Sequence, residues 1–319
     1  MKVLHIIDAG NHTYRGGSIR CPYHYGQEMV GGELKSMSVL TGGFNALMNY
    51  IPMLENDYFF DPEVENYFVV CFDSRSRLKK KDMYPFYKSN RSYDSSMQVH
   101  SQLMYAEDVL NYYGYVAARV EGYEADDIAY SLWKYCKRDY DLIILHSSDK
   151  DWAFMIDEDT VQFAKRKLPG TNQYDYVVIE KANYATVYHM QYNLMILSKV
   201  LQGDSSDGVK GIGKKFLTHI QDARPNDIND IRLGDARVVK DLLLATAKKY
   251  PAFPIEQALT NLDVVTPETV DVEEIAYQIS VASPKKIPFN YLNALKPQTR
   301  NNEHRELFYT FVENARTER

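Results

Sequence analysis

Cysteine is scarce in this sequence, which has Cys21, Cys71 and Cys136 among 319 residues. Their number is odd and their spacing shows no paired pattern, which argues against a disulfide framework and against a zinc ribbon. We therefore expect a protein of a reducing compartment, the cytoplasm.

Long apolar runs are also missing. The first residues enter a strand-like run at once, without the apolar core of a signal peptide, and no later run is long enough to span a bilayer. The sequence predicts a soluble protein with no membrane contact. Because 45% of its 319 residues are hydrophobic, the chain can bury a sizeable core as one large or two modest domains.

Positive charge is in slight deficit, since the formal net charge is −6. Taken over the whole chain, this balance discourages nucleic-acid binding, but an average conceals patches of opposite sign. The distribution of charge along the chain is therefore more informative than its sum.

Acidic residues follow four strand-like apolar runs. The runs are residues 3–7, 67–72, 115–120 and 141–146, and the acids after them are Asp8, Asp73, Glu124, Asp126, Asp127, Asp149 and Asp151. Ligands of open α/β sheets bind outside the carboxyl ends of the strands, so these acids should converge there. Helix N-caps account for one or two such acids but scarcely for all four junctions. The pattern predicts a mostly parallel sheet with a divalent-metal site at one edge.

The densest acidic cluster is formed by Glu124, Asp126 and Asp127, just before the helix-like residues 128–136. Carboxylates this close raise one another's pKa values unless cations lie among them, which favours a metal site. The alternative is that these acids only complement the dipole of the following helix. The recurrence of acids at the other strand ends favours the metal.

Residues 74–91 form a basic segment. Its cations are Arg75, Arg77, Lys79, Lys80, Lys81, Lys88 and Arg91, and Asp82 is its single acid. Such a charge run alone is typical of a solvated face, but Tyr84, Phe86 and Tyr87 lie among the cations. Cations neutralise phosphates while aromatic rings stack on unpaired bases. The segment therefore predicts contact with single-stranded or frayed nucleic acid.

Periodicity and glycine content predict the remaining elements. Glycine-rich residues 12–36 are interpreted as a loop, and apolar residues at helical spacing predict helices at 38–54, 97–113 and 192–201. Residues 226–319 show helical patches, at 238–250, 255–262 and 306–314, without evident chemistry.

The predicted helix 192–201 leads into Asp204 and Asp207, and a glycine-containing turn follows. The turn is Gly211, Ile212 and Gly213, with Lys214 and Lys215 just beyond it. Such a turn before a helix presents backbone N–H groups and positive charge to a phosphate. Although a Gly-x-Gly turn alone is weak evidence, its place beside two more acids predicts that it holds a duplex backbone near the metals.

In this order, the motifs resemble those of the metal-dependent 5′ nucleases, which comprise flap endonucleases, bacteriophage 5′–3′ exonucleases and the nuclease domain of bacterial DNA polymerase I. The resemblance covers about residues 1–225. Its pieces are Ile7-Asp8-Ala9-Gly10-Asn11, Phe72-Asp73, Tyr87-Lys88-Ser89-Asn90-Arg91, Gly122-Tyr123-Glu124-Ala125-Asp126-Asp127, Ser148-Asp149-Lys150-Asp151, and Gly203-Asp204-Ser205-Ser206-Asp207 with Gly211-Ile212-Gly213. The chain looks most like a free-standing phage member, which implies the cytoplasm of a bacterial or phage-infected cell.

The resemblance implies a PIN-like α/β fold over residues 1–190, with a central, mostly parallel sheet flanked by helices. It further implies a helical arch at about 74–105, and a helix–hairpin–helix region of the H3TH type plus a helical extension over 191–319. Between Asp207 and Gly211 the chain is about three residues shorter than is usual in the family. This departure bears on the hairpin geometry and on the K⁺ site that the family carries there.

The resemblance also implies roles for the acids and for two cations. Asp8, Asp73, Glu124 and Asp126 would serve one Mg²⁺, Asp126, Asp149, Asp151 and Asp207 the other, and Asp127 and Asp204 would be supporting acids. Lys88 and Arg91 would contact the scissile phosphate from the arch.

The clustered carboxylates point to the same chemistry independently of the family. Two metals supply a hydroxide and charge neutralisation for phosphodiester hydrolysis. Carboxylate ligands point to Mg²⁺, with Mn²⁺ as a substitute, rather than to zinc.

The function expected is that of a structure-selective 5′ nuclease of DNA replication or repair, acting as a monomer, with replication proteins as partners. Backbone contacts do not read sequence, so selectivity should come from a free 5′ end or a 5′ flap at a duplex junction. Two alternatives are a non-catalytic module that grips branched DNA and a PIN-type endoribonuclease. The first predicts missing acids, whereas all are present, and the second generally lacks the duplex anchor of residues 203–217.

Overall fold

A computed structural model describes residues 1–17, 22–54, 63–89, 93–167, 170–189, 194–223 and 236–282. Arg91 and the predicted helix 306–314 lie outside these ranges. In chain order, the described strands are β1 (Lys2–Asp8), β2 (Pro22–Val30), β3 (Glu33–Leu40), β4 (Glu65–Phe72), β5 (Val116–Arg119), β6 (Leu142–His146), β7 (Thr160–Lys167), β8 (Tyr174–Ile179), β9 (Gly203–Asp204) and β10 (Val209–Lys210).

The described α-helices surround these strands. They are α1 (Ala9–Gly17), α2 (Gly42–Met53), α3 (Lys80–Met83), α4 (Tyr93–Tyr112), α5 (Ala125–Cys136), α6 (Lys181–Tyr188), α7 (Met195–Gln202), α8 (Phe216–Ala223), α9 (Ala236–Lys249), α10 (Ile255–Val265) and α11 (Glu273–Val281). A 3₁₀ helix spans Lys150–Met155. None of the helices in the described ranges is both long and apolar enough to cross a membrane.

Within the described residues, a central sheet has the strand order β5-β4-β1-β6-β7-β8. Neighbouring strands are parallel except for β8, which is antiparallel to β7. β1 lies at the centre and is buried along its length after Lys2, because helices cover both faces of the sheet. The predicted mixed α/β fold with a largely parallel sheet is confirmed.

The two faces of the sheet carry separate hydrophobic clusters. Leu4 and Ile6 of β1 point into a cluster built with α5, α7 and the helices α9 to α11. Val3 and Ile7 point the other way, toward α2 and α4. This alternation follows from the two-residue period of a strand. The C-terminal helices thus share a core with the sheet, and α11 lies against α5, β4 and β5.

The predicted loop at residues 12–36 is wrong. Residues 12–17 belong to α1, and residues 22–36 belong to the hairpin β2-β3, in which Val30 pairs with Glu33 across a two-residue turn. Gly31 and Gly32 have φ values of 62° and 86°, which the turn of a tight hairpin requires. The glycines therefore mark one turn rather than an extended loop.

The predicted boundaries of the next helix are also wrong. β3 runs to Leu40, so α2 begins at Gly42 rather than at Ser38. β7, β8 and α6 were not predicted, although β7 and β8 complete the sheet beyond β6.

Candidate metal centre

The strand register brings the acids together at the carboxyl edge of the sheet. Ile7 of β1 pairs with Val70 on one side and with His146 on the other, so the strands β1, β4 and β6 end at similar heights. Asp8 is the last residue of β1, Asp73 follows β4, and Asp149 follows β6. The sheet therefore places Asp8, Asp73 and Asp149 at the same edge, as predicted.

Asp8 is buried at the centre of this edge. Its Oδ1 accepts a hydrogen bond from the backbone N–H of Asn11 (2.9 Å), and its Oδ2 accepts one from the Ser147 hydroxyl (2.7 Å). Burial nevertheless raises the pKa of Asp8 to about 7, with further contributions from the charges of Asp73 and Asp149. The ionised form would be stabilised by a cation.

Asp126 lies in the first turn of α5, near Glu124 of the same segment and near acids from two other strand ends. Burial raises its pKa well above the usual range, and the nearby Asp149, Asp8 and Glu124 raise it further. The pKa of Asp149 is raised as well, first by desolvation and then by Asp151. The acids at the ends of different strands are therefore close enough to repel one another electrostatically.

Glu124 is held by cations instead. Its carboxylate is ion-paired with Lys88 and Lys80, and it accepts a 2.7 Å hydrogen bond from the Tyr87 hydroxyl. Burial alone would raise the pKa of Glu124, but Lys88 and Lys80 lower it to about 2. Lys88 itself adopts φ 53° and donates its backbone N–H to the carbonyl of Asp207 (2.9 Å). The basic segment is thus tied to the acids at both ends of the site.

Within the described residues, both carboxylate oxygens of Asp127 contact hydrogen-bond donors of the protein. Its Oδ2 accepts the backbone N–H of Glu124 (3.0 Å), and its Oδ1 accepts that of Glu268 (2.8 Å). Lys80 lies 3.0 Å from the same Oδ1. The structure therefore places Asp127 as the residue that fastens the start of α5 to the C-terminal segment.

A second group of acids is formed by Asp151, Asp204 and Asp207. One carboxylate oxygen from each lies within 4.8 Å of the others, a spacing suited to a cation. Lys199 of α7 is ion-paired with Asp151 and lies 2.8 Å from Asp204 Oδ2. Although the chain after Asp207 is short, Asp207 lies beside Asp151 and Asp204.

The donor set fits a divalent metal. Within the described part of the chain, Asp151 Oδ1 is buried yet accepts no hydrogen bond, an arrangement that is costly unless a cation is present. Gly10 keeps the space between two acids open, since a Cβ there would lie 3.5 Å from Asp8 Oδ1 and 3.9 Å from Asp73 Oδ2. Clustered carboxylate oxygens are the ligands that Mg²⁺ and Mn²⁺ prefer.

The cations predicted to bind DNA differ in their surroundings. Arg75 is ion-paired with Glu107 and Arg77 with Asp82, while Lys79 stacks on Tyr123. Lys81 lies partly exposed on α3. These four side chains all keep access to solvent.

Two residues of the basic segment contradict the surface prediction. Lys80 is 5% exposed and Tyr87 is 3% exposed, because the acids draw both side chains inward. Tyr87 therefore presents no ring for base stacking, whereas the neighbouring Phe86 is 67% exposed.

The predicted phosphate-binding turn is only partly available. Gly213 donates its N–H to the carbonyl of Leu201 (2.8 Å), and Ile212 packs against the core, so the turn is fastened to α7. The backbones of Gly203 and Gly211 approach so closely that a Cβ on Gly211 would lie 2.2 Å from the carbonyl carbon of Gln202. Lys214 and Lys215 are exposed. The Gly213 N–H is therefore already used within the protein, and phosphate binding by the rest of the turn stays a prediction.

Several residues at the site were missed by the sequence reasoning. Ser147 accepts the N–H of Asp149 (3.0 Å) while donating to Asp8, and Gln162 donates to the carbonyls of Ser147 and Asp149 (2.7 Å each). Trp152 donates its indole N–H to Asp126. The signal that could have found Lys199 is a lysine within an apolar helix, four residues before Gly203.

Comparison with known proteins supports a family assignment. The family model described as 5'-3' exonuclease, N-terminal resolvase-like domain, matches residues 4–189. The chain is 31% identical to DNA polymerase I of Caldicellulosiruptor bescii over 176 residues, which are 54% of this chain and 20% of that protein. It is 25% identical to the 5'-3' exonuclease of Aquifex aeolicus over 231 residues, 69% of each chain. The aligned region spans about a fifth of the first relative and about half of the 5'-3' exonuclease of Mycoplasma pneumoniae.

Solved structures share the fold. The T5 D15 protein co-crystallized with metal ions superposes with a TM-score of 0.52 at 16% identity, covering 99% of both chains. T5 5'-exonuclease with bound zinc gives a TM-score of 0.52 at 17% identity, covering 98% of this chain and 99% of that one. Since the family model covers more than half of the sequence, the chain belongs to the 5'-3' exonuclease family, whose N-terminal resolvase-like domain it carries over residues 4–189.

Proposed function

We propose that this protein is a structure-selective 5′ nuclease that hydrolyses DNA phosphodiesters with two divalent metal ions. The observation that carries the proposal is the convergence of carboxylates from four strand ends at one edge of the sheet, with raised pKa values at Asp8, Asp126 and Asp149. Family membership supports the same reaction, since relatives are named 5'-3' exonuclease. One structure with this fold is a T5 flap endonuclease complex with DNA and metal ions.

Two sets of acids would hold the ions, taken as Mg²⁺ with Mn²⁺ as a substitute. Asp8, Asp73, Glu124 and Asp126 form one set, and Asp126, Asp149, Asp151 and Asp207 form the other, with Asp127 and Asp204 in support. The chemistry supplied by such ions is the generation of a hydroxide and charge neutralisation at the leaving oxygen. Lys88, which is tied to Glu124, and Arg91 would meet the scissile phosphate from the arch.

The residues of the chain would position the reacting strand. Phe86 offers an exposed ring to an unpaired base, and Arg75, Arg77, Lys79 and Lys81 offer positive charge along the same segment. Ring stacking and phosphate neutralisation are independent of sequence, so the substrate would be recognised by shape. We infer a DNA with a free 5′ end or a 5′ flap at a duplex junction.

The C-terminal half would anchor the duplex. α7, the short hairpin β9-β10 and α8 occur in the order expected of a helix–hairpin–helix element, and Lys214 and Lys215 lie exposed beside the turn. We include in this proposal the predicted division at residue 190, a K⁺ site at the hairpin, and a monomer that works with replication proteins in DNA replication or repair.

The test is a cleavage assay with end-labelled 5′-flap, nicked, linear and 3′-flap DNA in Mg²⁺. We expect products from 5′ flaps and 5′ ends, none in EDTA, and little cleavage of the matched 3′-flap control. Asp149→Asn, purified in the same way, is the protein control. It removes one ligand charge, so cleavage that persists in this variant would come from a contaminating nuclease. Preferential cleavage of the 3′ flap, or equal cleavage in EDTA, would refute the proposal.

A further inference from the structure

The acids of the site are held by two kinds of donor. Glu124 is paired with Lys80 and Lys88, and Asp151 is paired with Lys199. Asp126 instead accepts a hydrogen bond from a neutral group, the indole N–H of Trp152, at 2.6 Å from its Oδ1. Asp126 also lies within the electrostatic influence of Asp149, Asp8 and Glu124.

Trp152 is fixed in place by the core. It follows Asp151 in the 3₁₀ helix Lys150–Met155, its side chain is 0% exposed, and it belongs to the main hydrophobic cluster. A large ring buried on all sides cannot change rotamer without disturbing its neighbours. The indole N–H is therefore a rigid anchor, and it restricts the orientation of the Asp126 carboxylate.

A neutral donor has a particular advantage for a metal ligand. A lysine near Asp126 would neutralise its charge and compete with a metal ion for the carboxylate, whereas an indole satisfies one oxygen and leaves the negative charge in place. Outer hydrogen bonds of this kind orient metal ligands and tune their affinity. Asp149, Asp8 and Glu124 raise the pKa of Asp126, and Lys88, whose ion pair is with Glu124, lowers it by a smaller amount.

We propose that Trp152 is a positioning residue that orients Asp126 for divalent-metal binding through its indole N–H. This inference rests on the proposed metal-dependent function. It assigns a role within the site to a residue that carries no charge and is fully buried.

The test replaces the N–H without changing the shape of the ring. β-(3-Benzothienyl)alanine, in which sulfur replaces the indole nitrogen, is introduced at position 152 by stop-codon suppression. The matched control is the same replacement at Trp133, whose indole N–H donates to the Thr160 hydroxyl (3.0 Å) away from the acids. Mn²⁺ binding to the DNA-free protein is measured by electron paramagnetic resonance, and thermal unfolding is followed in parallel.

We expect the replacement at 152 to raise the Mn²⁺ dissociation constant by about 10- to 100-fold, the usual effect of losing an outer-shell partner. The control at 133 should leave the constant unchanged. A purely structural role for Trp152 would lower the unfolding temperature without weakening Mn²⁺ binding in the folded protein. Trp152→Phe, which also lacks the donor, should give the same loss of affinity.

Two outcomes would overturn the inference, and they differ in what else they affect. If the folded 152 variants bind Mn²⁺ as the wild type does, the positioning role is refuted while the proposed function stands. If the wild type itself binds no Mn²⁺, the proposed two-metal function and this inference both fail.

Discussion

A buried histidine pair on the central strands makes a sharp prediction about acid stability. His5 Nδ1 lies 2.9 Å from His146 Nε2, and His5 Nε2 lies 2.9 Å from the Asn66 side-chain oxygen. Tyr50 completes the chain through its hydroxyl, 2.9 Å from His146 Nδ1. Both imidazoles are fully buried. Their charged forms are therefore strongly disfavoured in the folded protein.

The sign and size of the effect follow from linkage. Burial lowers the pKa of His5 from 6.5 to about 4, so below pH 6.5 the unfolded chain binds a proton that the folded protein does not. The stability that the neutral imidazole contributes is present above pH 6.5 and is lost as the pH falls toward 4. Between pH 7.5 and pH 5, His5 alone should lower the free energy of unfolding by about 2 kcal/mol.

The wild type alone does not isolate this contribution. The pKa of Asp8 is raised to about 7 by burial, so Asp8 acts in the opposite direction: its contribution is present at low pH and is lost as the pH rises through 7. The assay is therefore a comparison of urea unfolding at pH 7.5 and pH 5, in EDTA, for the wild type and His5→Gln.

The difference between the two proteins should shrink by about 2 kcal/mol at pH 5, because only the wild type carries the His5 imidazole, whereas His146 is present in both. Tyr50→Phe is the matched control, since it removes a hydrogen bond from the same cluster but keeps His5. Its pH dependence should stay close to that of the wild type. If the wild type and His5→Gln respond equally to pH, the buried neutral histidine does not explain acid stability.

Three further predictions concern the site. Asp149→Asn should abolish cleavage of 5′-flap DNA in Mg²⁺ while binding of the same DNA in Ca²⁺ survives, because the chemical step needs the ligand charge; retained cleavage would contradict the metal assignment. Lys199→Met should lower the free energy of unfolding in EDTA by about 3–5 kcal/mol, because it leaves the buried Asp151 and Asp204 without their cation, and Mn²⁺ should restore part of the loss. A change below about 1 kcal/mol, the scale of an exposed ion pair, would contradict the buried ion pairs. Phe86→Ala should weaken binding of a single-stranded flap by about 1–3 kcal/mol and leave blunt-duplex binding unchanged in a fluorescence titration, and equal losses on both would exclude stacking.

The acids could be predicted from the sequence because their signal is local. An apolar run followed by Asp8 or Asp73 marks a buried strand and its carboxyl end, and parallel pairing then places such ends side by side. No long-range information is needed to reach this result. The general position of the site and the largely parallel sheet can therefore be predicted from the sequence alone.

The hairpin β2-β3 shows where local signals mislead. Five glycines within residues 12–36 suggested a loop, yet Gly31 and Gly32 form the turn and the flanking residues pair as strands. Glycine frequency reports backbone freedom at single positions, and it does not distinguish a tight turn from a long loop. The positions of the glycines relative to apolar alternation would have been the better guide.

The buried cations could not be predicted for a different reason. Lys80 lies in a run of three lysines that is indistinguishable from a solvated face, and Lys199 lies in an apolar helix. Their burial depends on acids that are distant in sequence, Glu124 and Asp127 for one and Asp151 and Asp204 for the other. A lysine becomes a core residue only once the sheet has assembled these partners.

Charge balance joins the buried lysines to the proposed metals. The acids assigned to the site are Asp8, Asp73, Glu124, Asp126, Asp127, Asp149, Asp151, Asp204 and Asp207, and within the described residues they are ion-paired with Lys80, Lys88 and Lys199. The pKa of Glu124, which touches two of these lysines, is lowered to about 2, whereas burial raises the pKa of Asp8 to about 7. The lysines therefore satisfy the two ends of the site and leave its centre, at Asp8 and Asp126, short of positive charge. Two divalent ions bound there would supply that charge without adding a side chain at the carboxyl edge of the sheet, where the proposed DNA substrate would bind.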